Sequence, residues 1–174
     1  MAEEEEILLQ VARFRVVREY QSTADGGRRA REIVRHPGAV VVLPLLDDGR
    51  VCLIRNYRIS VRETLIELPA GTLEPGEPPI KNAERELIEE TGYRAAKIEP
   101  LHAFYLSPGI LDERMHLFLA TGLTQGETAL EAGEEIENLI VPWEEAIGMV
   151  YNGQIQDAKT IVGLLYYDRL RTEK

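Results

Sequence analysis

The sequence predicts an α/β fold, because strand-like and helix-like segments alternate along its 174 residues. Short apolar runs bounded by turn residues, at 39–46 and 51–57, are typical of buried strands. Residues 79–91 are delimited as a helix, since Pro79 suits the first helical position and Gly92 can take the left-handed conformation that ends a helix. Strands on both sides of such a helix favour a layered α/β architecture.

An N-terminal β arm is predicted ahead of this core. Residues 7–20 alternate between apolar and polar side chains and are predicted as one strand, and a turn at 25–27 returns the chain as a partner strand over 28–35. His36-Pro37-Gly38 then breaks the pattern. The predicted organisation is an arm at residues 1–36, with an acidic, disordered tip at 1–6, followed by a core at residues 37–174.

Within the core, the two apolar runs are predicted as a hairpin of buried strands around the turn Asp47-Asp48-Gly49. The other predicted elements are strands at 64–69, 97–105, 114–120 and 136–141, a Gly/Glu-rich loop at 122–135, and helices at 79–91, 143–151 and 158–171.

Composition excludes several classes of protein. The net charge of −10 argues against general nucleic-acid binding, and no apolar run approaches the length of a membrane span. A single cysteine, Cys52, excludes a disulfide framework and is expected to be a buried thiol in a reducing cytoplasm. Charge is uneven, because residues 13–35 hold seven arginines and three acids. That arm either presents a solvated strand face or serves an anionic small molecule.

The predicted helix at 79–91 concentrates carboxylates on one face. Glu86, Glu89 and Glu90 fall within an arc of about 100°, away from the apolar stripe that contains Ala83 and Leu87. Like charges at i and i+4 destabilise a helix by a few tenths of a kcal/mol. A hard divalent cation such as Mg²⁺ removes that repulsion, because it accepts oxygen ligands. The alternative interpretation is an acidic face exposed to solvent.

A longer pattern around this helix resembles the Nudix family. The pattern is G-x5-E-x7-R-E-U-x-E-E-x-G-U, where U is a bulky apolar residue, and it is met at Gly71, Glu77, Arg85, Glu86, Leu87, Glu89, Glu90, Gly92 and Tyr93. The resemblance implies an α/β/α sandwich around a mixed sheet. It also implies hydrolysis of a nucleoside diphosphate linked to another group, with two or three Mg²⁺ ions, or Mn²⁺ in their place.

The resemblance also implies roles for individual residues. Glu86 and Glu90 are the implied main metal ligands, and Glu89 is a further ligand or a water-mediated one. Arg85 is implied to orient the glutamates, and Glu77 to fix the junction between loop and helix.

Outside this box the chain resembles the ADP-ribose pyrophosphatases. Residues 66–71 are similar to the segment that precedes the box there, where the backbone carbonyl at the Ala70 position is a metal ligand. Pro108, sixteen residues after Gly92, resembles a proline that marks ADP-ribose specificity. The Glu113 position contacts substrate ribose in relatives.

Arg58 belongs to a segment that resembles the family's Q-Y-R sequence, from which Asn56 departs. The resemblance implies that its planar fork of donors binds a phosphate of the substrate.

The loop at residues 131–137 lies where this subfamily carries an extra glutamate outside the box. Alignment on Ile136 places Glu134 at that position, as a metal ligand and the base for the attacking water. Glu135 and Glu137 remain competing assignments.

The resemblance implies a homodimer in which the arm is exchanged and helps to cover adenosine. The implied substrate is ADP-ribose, which would be hydrolysed to AMP and ribose 5-phosphate. Two alternatives remain: another nucleoside diphosphate sugar, such as GDP-mannose, or a non-catalytic regulator that only binds ADP-ribose.

Overall fold

The computed structural model describes residues 5–130 and 135–173. Ten strands and three helices occur in these residues. They are β1 Glu6–Gln10, β2 Arg15–Ser22, β3 Arg28–Arg35, β4 Ala39–Pro44, β5 Arg50–Arg58, β6 Glu63–Glu67, β7 Ala70–Thr72, α1 Pro79–Thr91, β8 Tyr93–Tyr105, β9 Arg114–Gln125, β10 Ile136–Pro142, α2 Trp143–Tyr151 and α3 Ala158–Thr172.

A mixed four-stranded sheet in the order β7-β4-β9-β8 forms the centre of the core. Strand β4 runs parallel to β9 and antiparallel to β7, and β8 is antiparallel to β9. A second sheet has the order β10-β5-β6, and all its pairs are antiparallel. The predicted α/β class and the mixed sheet are therefore confirmed.

Helices cover both faces of the central strand. All six residues of β4 are buried, and successive side chains point to opposite faces. Val41 and Leu43 join the apolar cluster that contains residues of α2 and α3, whereas Val40 and Val42 join the cluster that contains Leu87 of α1. This alternation produces the predicted sandwich, with α1 on one side and the two C-terminal helices on the other.

The predicted hairpin of β4 and β5 is wrong as a pair of bonded strands. Gly49 makes the expected turn with φ of 83°, and one isolated bridge joins Leu45 to Val51. Beyond that bridge the strands belong to different sheets, β4 beside β7 and β9, and β5 between β10 and β6. A run that is buried on both faces carries no alternation that identifies its partners.

The arm is a three-stranded antiparallel sheet in the order β1-β2-β3. The predicted single strand at 7–20 is therefore wrong: the chain reverses after β1, where the Val11 N–H donates to the Phe14 carbonyl at 3.1 Å. This turn lacks glycine and proline, so the sequence does not mark it. The arm joins the core through Val34, whose N–H donates to the Ile110 carbonyl at 2.8 Å.

Part of the acidic tip that was expected to be disordered is described. Glu5 forms ion pairs with Arg15 and Arg35, and Glu6 forms one with Arg18. Residues 1–4 lie outside the described residues.

Helix α1 has the predicted bounds, Pro79–Thr91. It ends at Gly92, which has φ of 76° and donates its N–H to the Ile88 carbonyl. In residues 5–130 and 135–173, none of the helices is long and apolar enough to cross a membrane.

Candidate active site

A cavity of about 730 Å³ opens between α1, β7, the end of β5 and the start of α3. Two of its walls carry charged side chains. The carboxylate wall consists of Glu86, Glu90 and Arg85 on α1, and the cation wall consists of Arg58 on β5, Glu67 on β6 and Lys159 on α3.

Arg85 organises the acids of α1. Its guanidinium lies 3.0 Å from the Glu86 carboxylate and donates a 2.7 Å hydrogen bond to Glu89. Burial alone would lower the pKa of Arg85, but the charge of Glu86 and the hydrogen bond to Glu89 raise it above its ordinary value. The predicted orienting contacts of Arg85 are therefore present, with a permanently charged guanidinium. Glu89 contacts Arg85 but is not among the described residues that line the cavity.

Glu90 lies deeper than the sequence indicates. It is only 5% exposed, and its carboxylate accepts a 2.8 Å hydrogen bond from the Ala70 N–H. The alternative interpretation, an acidic face exposed to solvent, does not hold for Glu90, because β7 packs against α1 at this point. The contact brings the Glu90 carboxylate to the backbone N–H of Ala70, and the roles of the Ala70 carbonyl and Glu90 as metal ligands stay predictions.

Gly71 makes room for the Glu86 carboxylate. A Cβ atom at this position would lie 1.9 Å from the carboxyl carbon of Glu86, much closer than non-bonded atoms can approach. The missing side chain thus decides where the carboxylate lies, and this explains a glycine at the first position of the box.

Glu77 and Asn82 connect the box loop to α1. The side-chain amide of Asn82 donates to the Glu77 carboxylate at 2.8 Å and to the Thr72 carbonyl at 3.1 Å. Asn82 is fully buried, so these bonds are shielded from water. Glu77 therefore lies at the loop–helix junction, as expected.

The donor set of the carboxylate wall fits a hard divalent cation. Glu86 and Glu90 supply carboxylate oxygens beside the Ala70 backbone, and the space left by Gly71 admits the Glu86 carboxylate. In the described part of the chain no three His, Cys, Asp or Glu side chains are already grouped as a metal site. Glu134, the predicted ligand from the loop, lies outside the described residues. Glu135 and Glu137 are described and exposed.

Glu67 is the centre of the cation wall. Its two oxygens accept hydrogen bonds from Arg58 Nε and Nη2 at 2.8 and 2.6 Å, and Lys159 Nζ donates to one of them at 2.5 Å. Lys159 also donates to Asp157 at 2.9 Å. Burial would raise the pKa of Glu67, but the hydrogen bond from Arg58 and the charge of Lys159 outweigh burial and lower it.

Sequence reasoning identified Arg58 in this wall and missed Glu67, Asp157 and Lys159. One signal was available for Asp157, which caps α3 by accepting from the Thr160 N–H. Glu67 interrupts an apolar run, which is a weak signal of a buried charge. The predicted contact between Arg58 and a phosphate stays a prediction.

The two remaining predicted substrate contacts lie in different places. Glu113 lines the cavity, and its carboxylate is 3.4 Å from His36 Nδ1. Pro108 is exposed in the turn that begins at Ser107, and it is not among the described lining residues.

Cys52 is remote from this chemistry. Burial raises its pKa to about 12, so the thiol stays protonated at neutral pH and is a poor nucleophile. This agrees with the structural role expected from its apolar strand.

The mixed sheet, the glycine-led loop and the acidic helix define a class of protein. The family model described as NUDIX domain matches residues 34–162, and the chain therefore belongs to the Nudix family.

Two individual relatives and one solved structure are similar to this chain over most of its length. An ADP-ribose pyrophosphatase of Bacillus subtilis (strain 168) is 43% identical over 144 residues, which are 82% of this chain and 78% of the relative. A GDP-mannose pyrophosphatase of Cronobacter sakazakii (strain ATCC BAA-894) is 38% identical over 167 residues, 86% of each chain. A crystal structure described as an ADP compounds hydrolase has a TM-score of 0.85 at 20% identity, covering 98% of this chain and 92% of that one, which supports the fold.

Proposed function

We propose that this Nudix protein hydrolyses the pyrophosphate of ADP-ribose to AMP and ribose 5-phosphate. The main observation behind the proposal is that one cavity is lined both by the carboxylates of Glu86 and Glu90 and by the guanidinium of Arg58. Carboxylates can hold metal ions while the guanidinium binds an anion, so the cavity suits a charged diphosphate. The identity of 43% to a relative named ADP-ribose pyrophosphatase supports this substrate.

In the proposed in-line displacement, different residues of the chain have separate roles. Water attacks the adenosyl phosphorus, the bond from this phosphorus to the bridging oxygen breaks, and the electron pair leaves with ribose 5-phosphate. Glu134 accepts the proton of the attacking water, and Arg58 holds a phosphate. Arg85 keeps Glu86 and Glu89 in place, and catalysis consists mostly of positioning.

Metal ions are expected at the carboxylate wall. The proposed ligands are the Ala70 carbonyl and the carboxylates of Glu86, Glu89, Glu90 and Glu134, which would hold two or three Mg²⁺ ions, or Mn²⁺. When bound, the ions supply positive charge that offsets the repulsion between an acidic protein and a diphosphate.

The ends of the substrate have their own proposed contacts. Glu113, which lines the cavity, would accept hydrogen bonds from a ribose hydroxyl. Pro108 would act from the neighbouring turn by limiting which sugar fits.

A coupled assay tests the substrate. Alkaline phosphatase releases phosphate from AMP and ribose 5-phosphate and leaves the intact diphosphate alone. The protein is incubated with Mg²⁺ and, in turn, with ADP-ribose, GDP-mannose, NADH and diadenosine polyphosphates. We expect the highest kcat/KM with ADP-ribose, and a higher value with any other compound would contradict the assignment.

GDP-mannose is the second candidate substrate. It is favoured by the relative that is 38% identical and named GDP-mannose pyrophosphatase. A non-catalytic regulator is a weaker alternative, because the chain keeps Glu86, Glu89 and Glu90 of the box. Binding of ADP-ribose without any turnover would favour that alternative.

The base is tested on the loop. Glu134→Gln removes the proposed proton acceptor and is expected to lower kcat by about 10²-fold, the typical size of a general-base effect. Glu135→Gln and Glu137→Gln serve as matched controls, because they remove the same charge from neighbouring positions. If either control loses activity and Glu134→Gln does not, the assignment of the base is wrong.

The arm is proposed to hold two copies together in the cytoplasm. Ile7, Leu8 and Leu9 of β1 are exposed, at 57, 40 and 49%, and would be buried by exchange with a second arm. Light scattering at micromolar concentration is expected to give the mass of a dimer. The mass of one chain would contradict this proposal and leave the fold unaffected.

A further inference from the structure

Glu67 is a buried carboxylate that the proposed reaction does not use directly. It is 1% exposed, and both of its oxygens accept hydrogen bonds from cationic side chains. A carboxylate that is almost fully buried and already accepts three hydrogen bonds offers little access to a metal ion or a substrate hydroxyl. Its influence on the cavity must therefore pass through Arg58 or Lys159.

The geometry of the pair with Arg58 is directional. The guanidinium is planar with donors at fixed angles, so engaging Nε and Nη2 on one carboxylate sets the direction of the whole group. Arg58 is 40% exposed at its side chain and would otherwise sample several rotamers at the cavity mouth. The two hydrogen bonds to the buried Glu67 offset the conformational entropy that the Arg58 side chain loses when it is held in one position.

Lys159 and Asp157 hold the carboxylate in turn. Lys159 bonds to Glu67 and Asp157, and Asp157 caps α3 through the Thr160 N–H at 3.0 Å. The Thr160 hydroxyl donates to Asp157 and accepts a 2.7 Å hydrogen bond from the Leu68 N–H, next to Glu67 in sequence. The carboxylate is thus fixed from β6 and from α3, and it has little freedom to follow Arg58.

The charges of both walls also act on Arg58. The hydrogen bond to Glu67 raises the pKa of Arg58 more than burial lowers it, and the charges of Glu90 and Asp157 add to the rise. Glu90 belongs to the carboxylate wall, so the guanidinium of Arg58 is attracted electrostatically by acids of both walls. Without Glu67, attraction to the acids of the carboxylate wall would compete for its position.

We propose that Glu67 is a positioning residue for the hydrolysis, which aims the guanidinium of Arg58 at the diphosphate and keeps it off the acids of the carboxylate wall. The inference rests on the proposed function, since it takes this cavity as the substrate site. Glu67 itself touches neither substrate nor metal.

A double-mutant cycle tests this dependence on Arg58. In Glu67→Gln an NH2 donor replaces one oxygen acceptor, so the side chain no longer accepts both hydrogen bonds from the Arg58 guanidinium. We expect kcat/KM to fall by about 10²-fold, the loss typical of a displacement near 1 Å. In an Arg58→Ala background the same substitution is expected to change kcat/KM by less than about threefold, because its target is gone.

Controls separate positioning from folding. Glu63→Gln removes an exposed carboxylate from the same strand, opposite Arg58 in register, and is expected to keep the wild-type kcat/KM. The melting temperature of every variant is measured alongside. If Glu67→Gln fails to fold, the double-mutant cycle is repeated with Glu67→Asp, which keeps the charge and shortens the side chain. We expect a smaller fall in kcat/KM, and no fall in the Arg58→Ala background.

Two outcomes would overturn the inference. One is an active wild type whose folded Glu67→Gln variant keeps its kcat/KM, and the other is a loss of equal size with and without Arg58. The cycle is run with ADP-ribose and with GDP-mannose in parallel. A wild type inactive on ADP-ribose and active on GDP-mannose contradicts the proposed substrate only, and the cycle on GDP-mannose still decides the role of Glu67.

Discussion

The two walls of the cavity are built in opposite ways. On the carboxylate wall one cation, Arg85, lies within 3.0 Å of Glu86, which belongs to the wall, and of its helix neighbour Glu89. On the cation wall one acid, Glu67, holds two cations within 2.8 Å. In each case a charge of opposite sign lowers the repulsion among its partners and restricts their directions.

The walls differ in how they are assembled from the chain. Arg85, Glu86 and Glu90 come from one helix and are separated by no more than five residues. Glu67 and Lys159 are 92 residues apart, and Arg58 comes from a third element. The spacing of the acids on one helix is set locally, whereas the spacing of a wall shared by β5, β6 and α3 depends entirely on tertiary packing.

The largest expected effect comes from the carboxylate wall itself. Glu90→Gln removes the charge of a proposed metal ligand and keeps an oxygen that can accept from the Ala70 N–H. We expect the fold to persist and turnover with Mg²⁺ to fall by about 10²-fold or more, since metal charge contributes several kcal/mol to such reactions. Turnover is measured by the phosphate-release assay.

Glu84→Gln is the matched control for this substitution. Glu84 lies on the same helix and pairs with Lys81 at 2.7 Å, outside the cavity lining. Its replacement is expected to leave turnover unchanged. A near-wild-type rate for Glu90→Gln would show that the charge of the carboxylate wall does not contribute to turnover. The proposed difference in role between the two walls would then be wrong.

A second prediction separates the position of a carboxylate from its charge. Gly71→Ala introduces a Cβ that meets the Glu86 carboxylate at 1.9 Å, and this flexible group must move. We expect a loss of about 10²-fold in kcat/KM with a small change in melting temperature, because a displacement near 1 Å costs that much.

Gly148→Ala controls for the added methyl group. A Cβ there meets nothing within 4 Å, and the residue lies inside α2. This variant is expected to be fully active and more stable by about 0.4–1 kcal/mol. If Gly71→Ala is equally active, the carboxylate wall tolerates misplacement and only its charge matters.

The smallest expected effect concerns acid stability of the cation wall. Because the folded pKa of Glu67 is lowered, its ion pairs stabilise the protein above the ordinary glutamic acid pKa and lose this contribution as pH falls through the folded value. Removing one partner of a buried pair costs about 3–5 kcal/mol, and we expect about 2 kcal/mol because Arg58 is 40% exposed.

Urea unfolding of the wild type and Glu67→Gln measures this difference. It is expected to be largest at pH 7 and to shrink as pH falls through the folded pKa of Glu67, which lies below the ordinary glutamic acid value. Glu63→Gln, an exposed carboxylate on the same strand, is expected to differ little from the wild type at either pH. A difference that is constant with pH would mean that the charge of Glu67 contributes nothing.

The sequence was informative where interactions are local. The bounds of α1, its glycine stop and the shared face of Glu86 and Glu89 follow from residues a few positions apart, and the structure has them. The burial of Glu90 was not predictable, because it depends on β7, which lies against α1 only in the folded protein. Helical periodicity assigns a face, and tertiary packing decides whether water reaches it.

The sequence was least informative where two distant segments meet. Arg58 was identified from its own segment, but its partner Glu67 lies in an apolar run that by itself predicts a strand. Likewise β4 and β5 are adjacent in sequence, yet β4 pairs in parallel with β9, more than seventy residues away. Turn residues predict a reversal of the chain and do not specify which strands become bonded.

The hydrogen bond between Lys159 and Glu67 can form only late in the synthesis of the chain. Because it spans 92 residues, the carboxylate of β6 has left the ribosome long before α3 is made. A nascent chain can therefore complete α1 and its acids while Glu67, the partner of Arg58, still lacks its bond from Lys159. Chains terminated before α3 would carry the whole acidic box and lack Lys159, one of the residues that line the cavity.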